Sequence, residues 1–117
     1  MKKDEEIQQK ALVEWLRIID KQHDLLWWHT PNGGARNVIV GAILKAMGVR
    51  RGVSDLFFAN PTAEYNCLAI EMKASAKDYP SKEQREFLAH IKRIGGRAEI
   101  IWDWVKAKEL IVDHYKL

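Results

Sequence analysis

A single cysteine, Cys67, in 117 residues excludes an internal disulfide, and no Cys/His grouping has the spacing of a zinc site. No segment reaches about 18 consecutive apolar residues, so none is expected to span a membrane. The opening MKKDEEIQQKALVEWLRIID is charged throughout and has no small-residue cleavage site, which argues against a secretory leader. A cytoplasmic protein is expected. Internal repeats, low-complexity stretches and linkers are missing too. What is present is 47% apolar residues, too many for a disordered chain, in a length that supports one domain over 1–117. Nineteen Lys and Arg against 16 acids give a formal charge of +3. The balance says little, but its distribution is uneven. Residues 4 to 6 are Asp-Glu-Glu, whereas Lys45, Arg50, Arg51, Lys73, Lys77, Lys82, Arg85, Lys92, Arg93 and Arg97 fall in the middle and late chain. Such a basic set, gathered on one face, would attract a polyanion.

Apolar spacing predicts an amphipathic helix over 5–20 through Ile7, Leu12, Trp15, Leu16 and Ile19. Leu25 to His29 reads as a buried strand, stopped by Thr-Pro-Asn-Gly-Gly. A second helix is expected over 36–47 with Gly48 at its C-terminal cap. Residues 54–59 and 67–73 pair as a hairpin across a loop of moderate length. Ser81 to Ile94 is a helix with Ser81 as N-cap and Gln84 in the capping-box position. A strand over 97–102 and a helix capped by Asp103 complete the order α-β-α-β-β-α-β-α. The tryptophans belong mostly to the core. Of the adjacent pair Trp27 and Trp28, however, one must point away from the face that the other fills. His23, His90 and His114 are read as surface residues.

The central chemical feature is Asp55 followed by Glu71-Met72-Lys73. Alternation along a strand puts Glu71 and Lys73 on one face, so two carboxylates and one ammonium can share a pocket. Hard divalent cations use such carboxylates, and a lysine beside one can orient water and stabilise charge on phosphorus. Taken alone, Glu-x-Lys is commoner as an ion pair on an exposed sheet. Gln84 precedes Phe87-Leu88 on the buried stripe and can face the sheet as well as cap its helix. The turn His29-Thr30-Pro31-Asn32-Gly33-Gly34-Ala35-Arg36 collects side-chain donors and exposed amides suited to phosphate oxygens. His29, Asn32, Gly33, Gly34 and Arg36 are its candidate DNA-binding residues.

These pieces occur in a telling order. Glu5-Glu6-Ile7-Gln8-Gln9 comes first, then His29 to Arg36, then Lys45-Ala46-Met47-Gly48 leading to Gly52 and Asp55-Leu56. Ile70-Glu71-Met72-Lys73, and Ser81 with Gln84 and Gly95, complete the series. Together they resemble the virus-type replication-repair nuclease domain (VRR-NUC), a branch of the PD-(D/E)XK superfamily, over about residues 5 to 112. The resemblance implies an α/β, restriction-endonuclease-like core: a small mixed sheet flanked by helices. It also implies that Asp55, Glu71 and the Met72 carbonyl hold Mg²⁺, with Mn²⁺ able to substitute. Lys73 would be the catalytic lysine, with Gln84 in support. A helix-one glutamate would complete the acidic set. Glu5 lies at the edge of the apolar stripe, Glu6 points away and Asp4 projects inward, so Glu5 is the choice. Ser54 stands where the family has proline, a residue that stiffens the strand start but ligates nothing.

The leading expectation is therefore a metal-dependent endonuclease acting on DNA in phage-type replication, recombination or repair, with a restriction role as runner-up. A DNA-binding module that has lost cleavage, or an α/β domain whose Glu-x-Lys is only an ion pair, are the other classes. Such degenerate domains lose the carboxylates or the lysine, and all three remain here. No reader domain is appended, so branched DNA, such as a four-way junction, is a better substrate than an extended sequence. A two-fold homodimer would supply the paired incisions that a junction needs.

Overall fold

The computed structural model describes residues 3–31 and 37–117. Eight elements follow in the expected order: α1 (Lys3–His23), β1 (Trp27–His29), α2 (Val38–Ala46), β2 (Leu56–Phe58), β3 (Leu68–Met72), α3 (Lys82–Arg93), β4 (Arg97–Ile101) and α4 (Trp104–Tyr115). Among the described residues no helix is long and apolar enough to cross a membrane.

Helix α1 begins with Asp4, Glu5 and Glu6 and ends with Lys21 and His23, so its charges oppose the helix dipole at both ends. Glu5, Gln9, Leu12 and Leu16 are buried at the three- and four-residue spacing of one helical face. Asp24, at φ 52°, stops the helix in the left-handed region. The strands form one sheet in the order β1-β2-β3-β4. β1 and β3 each run antiparallel to β2, while β3 and β4 are parallel. β3 is buried along its whole length. Leu68, Ile70 and Met72 enter the core shared with α1 and α4, whereas Ala69 faces α3 with Leu88 and Ile91. Full burial of such an aliphatic side chain contributes about 1.5–3 kcal/mol. Glu71, buried among them at 2% exposure, runs against that gain.

The helix starts are fixed by side-chain caps. Asn37 accepts from Val40 N and Asp103 from Lys106 N, while Ser81 and Gln84 form a reciprocal capping box. Gln8 Oε1 accepts from Trp104 N at 2.8 Å, which ties α1 to the start of α4. Gly48, at φ +101°, follows the α2 C-cap as expected.

Three expectations need correction. The first strand spans 27–29 rather than 25–29 and is not buried, because among the described residues it pairs only with β2 and forms a sheet edge. Leu26 is 62% and Trp28 44% exposed. An apolar run does not distinguish a central strand from an edge strand. Second, α2 spans Val38–Ala46 rather than 36–47, between the Asn37 and Met47 caps; it buries none of its residues and leaves Val38 88% and Ile39 74% exposed. Third, His114 is buried between the rings of Tyr65 and Tyr115. Burial, with Arg97 nearby, lowers its pKa.

Candidate active site

The β2–β3 register sets the site. Leu56 lies opposite Ile70, so the antiparallel step before it brings Asp55 opposite Glu71 on the face toward α3. Asp55 Oδ2 accepts from Met72 N at 2.7 Å, which pins its carboxylate to the end of β3. Ser54, buried and directly before it, donates from its hydroxyl to Leu56 O at 3.0 Å. This local turn takes the place of the stiffness that proline would supply. On the other side of Asp55, His29 Nδ1 donates to the Asp55 carbonyl at 2.7 Å.

From the helix side, Gln84 reaches back to the sheet. Its Nε2 donates to Glu71 Oε1 at 2.9 Å, and its Oε1 accepts from Lys73 Nζ at 3.0 Å. The same Oε1 accepts from Ser81 N at 2.8 Å, so capping and site roles coexist in one amide. Lys73 Nζ lies 3.8 Å from Glu71 Oε1 with its side chain 12% exposed. Glu5, also buried, accepts at Oε1 from Ala74 N at 3.3 Å, placing it beside the residue that follows Lys73. Glu6 instead points outward and pairs with Lys10 at 2.7 Å.

Two buried carboxylates in contact cannot both carry charge cheaply. Burial raises the Asp55 pKa even against its bond from Met72 N. Burial and the neighbouring Asp55 charge push Glu71 up to about 9, with Lys73 pulling the other way. Both shifts favour the pair's sharing one proton near neutral pH over its carrying two charges. Glu71 Oε2 is buried and has no hydrogen-bond partner. A hard divalent cation answers both features, since it can replace the shared proton and take the unpartnered oxygen. Among the described residues no group of three or more His, Cys, Asp or Glu is placed so as to hold a metal ion together. Two carboxylates are the number that Mg²⁺ commonly takes with substrate and water oxygens.

Gln84 also lines a cleft of about 1100 Å³. Lys45, Arg50 and Arg51 contribute to its wall, with Glu83 the acid among them, so its field favours an anion. The Arg50 guanidinium sits 5.5 Å over the Phe87 ring of α3. Gly52 holds this wall against the helix. It has φ +82°, and a Cβ there would meet Glu83 C at 2.4 Å.

The structure thus gathers Asp55, Glu71, Met72, Lys73 and Gln84, with Glu5 and His29 at the margin. Asn32, Gly33, Gly34 and Arg36 lie outside the described residues. Residue patterns pointed to the basic side chains but not to the close seat of Gly52 on α3, for which a lone glycine after two arginines was the available signal.

The profile of the VRR-NUC domain matches residues 4–102. The chain belongs to the VRR-NUC family. A solved structure described as a VRR_NUC domain protein shares the fold with a TM-score of 0.79 and 22% identity, over 96% of this chain and 88% of that one. No curated protein shows significant similarity. The expected mixed sheet flanked by helices is therefore that of a VRR-NUC nuclease domain, and membership makes this chain a nuclease-family protein.

Proposed function

We propose that this VRR-NUC protein is a metal-dependent endodeoxyribonuclease, selective for branched DNA such as four-way junctions, in phage-type replication, recombination or repair. The observation that carries the reading is the Asp55–Glu71 pair, with an unpartnered carboxylate oxygen and a fixed lysine beside it. Asp55, Glu71 and the Met72 carbonyl would hold Mg²⁺ or Mn²⁺, which supplies Lewis-acid polarisation of the phosphate and a nucleophilic water. Gln84 keeps Lys73 extended toward the carboxylates. From there the ammonium donates to the attacking water and opposes the negative charge that grows on phosphorus. Water adds to phosphorus and gives its proton to solvent, one ester P–O bond breaks, and the leaving oxygen takes up a proton from water.

The cation-lined cleft beside Gln84 supports DNA as the substrate, and Asn32 and Arg36 would add phosphate contacts. Homodimer formation is supported by α2 and its C-cap, where the Val38, Ile39, Ile43 and Met47 side chains are all more than half exposed. A second copy covering such an apolar surface would remove it from water.

The test is a gel assay over duplex, flap, fork and four-way-junction substrates, with and without Mg²⁺ or Mn²⁺, beside light scattering at micromolar concentration. Metal-dependent cutting that prefers junctions, abolished by Asp55→Ala, is expected from a dimer. DNA binding without cutting would leave the non-catalytic module.

A further inference from the structure

Trp28 stands apart from the tryptophans that pack the core. Its cross-strand partner is Phe57, and their rings lie 5.1 Å apart at 39°. Phe57 packs with the α3-side core, as does Ala69, its own partner on β3. Trp28 therefore projects on the sheet face that carries Glu71 and Lys73. α3 lies over β3 and β4, while Trp28 on the edge strand stays 44% exposed. Strand spacing and rise place it on the order of 8 Å from Asp55 and about 12 Å from Glu71. Thr30, two residues further along, lines the cleft that also holds Arg50, Arg51 and Gln84. A half-exposed indole thus shares the sheet face of the carboxylates, and its strand runs on into Thr30 at the edge of the cationic cleft.

We infer that Trp28 is a stacking platform for an unpaired DNA base next to the scissile bond. Bases within a duplex hide their faces against one another, so only an unstacked base can use this ring. Charge favours such an occupant, because the adjoining wall presents cations suited to a phosphodiester backbone. Aromatic stacking of this kind tolerates any base, and it gives a physical source for preferring junctions, flaps or forks over intact duplex. The inference rests on the nuclease reading for its reactive centre, and its test separates the two.

The test measures anisotropy of a labelled oligothymidylate and of a blunt duplex, with EDTA present so that nothing is cut. Wild-type protein, Trp28→Ala and Trp28→Phe are compared, with light scattering at the same concentration. Trp28→Ala should weaken oligothymidylate binding roughly tenfold, leave duplex binding within about twofold, and keep the wild-type mass. Trp28→Phe should recover most of the loss, which a merely unfolded edge strand would not allow. Equal losses on both DNAs, or no loss on the single strand, would overturn the inference. A change of mass in Trp28→Ala would also overturn it, by making the ring a protein contact. Failure of wild-type protein to cut any DNA with Mg²⁺ would sink the nuclease reading while leaving the stacking result intact.

Discussion

Replacing Glu71 with glutamine should stabilise the metal-free protein, although it removes a proposed metal ligand. Unfolded, Glu71 ionises near the ordinary 4.5; folded, it keeps its proton to about 9. Between those values folding takes up a proton, so stability falls as pH rises. Each pH unit in that window costs about 1.4 kcal/mol, or about 3 kcal/mol by pH 7. Glutamine carries no such penalty. Its carbonyl can still accept from Gln84 Nε2. Urea denaturation in EDTA at pH 5, 6, 7 and 8 should show Glu71→Gln gaining on wild type at each step, starting from under about 1 kcal/mol. Added Mg²⁺ should then raise the wild-type Tm and leave the variant unmoved. A stability difference that stays constant across this range, or a variant weaker than wild type at pH 8, would refute the shared-proton account.

Lys73→Ala should reduce cleavage by about 10²-fold or more while retaining the Mg²⁺-dependent rise in Tm, since the lysine serves the chemical step; near wild-type cutting would show the reactive centre to be elsewhere. Gly52→Ala should cost about 2–4 kcal/mol in urea denaturation, because its backbone is left-handed and the new methyl meets Glu83 main chain. Unchanged stability would show that the loop seats differently on α3. Arg36→Ala should weaken binding alike on unrelated DNA sequences and lower the salt slope by about one, and an unchanged slope would remove it from phosphate contact.

Periodicity and caps made the order of elements readable. The Leu12 and Leu16 stripe, the Ser81 and Gln84 capping box and Asp103 all act locally, and local patterns survive in sequence. The candidate pair was legible in part, because strand alternation aligns Glu71 with Lys73. That Asp55 stands opposite Glu71 depends on the hairpin register, which no local rule fixes across a loop of this length. Choosing Glu5 over Glu6 followed from helical phase, and the inward position of Glu5 agrees with it. The exposure of Trp28 and of α2 was beyond reach, since hydrophobicity records a preference for burial but not what does the burying. His114 failed in the opposite sense: its polarity suggested solvent, whereas two tyrosine rings enclose it.

Gln84 joins two processes that are usually separable. Its amide oxygen closes the first turn of α3 and anchors Lys73, while its amide nitrogen holds Glu71. Fraying of that turn therefore dismantles the reactive cluster, and assembly of the cluster completes the turn. Glutamate at this position would keep the acceptor but lose the donor, and would set a third carboxylate beside Asp55 and Glu71. Serine or alanine would reach neither strand residue. Sequence drift at this site is thus constrained from two directions at once, and hydrogen exchange at the start of α3 should slow when a cation or a neutral Glu71 relieves the carboxylate pair.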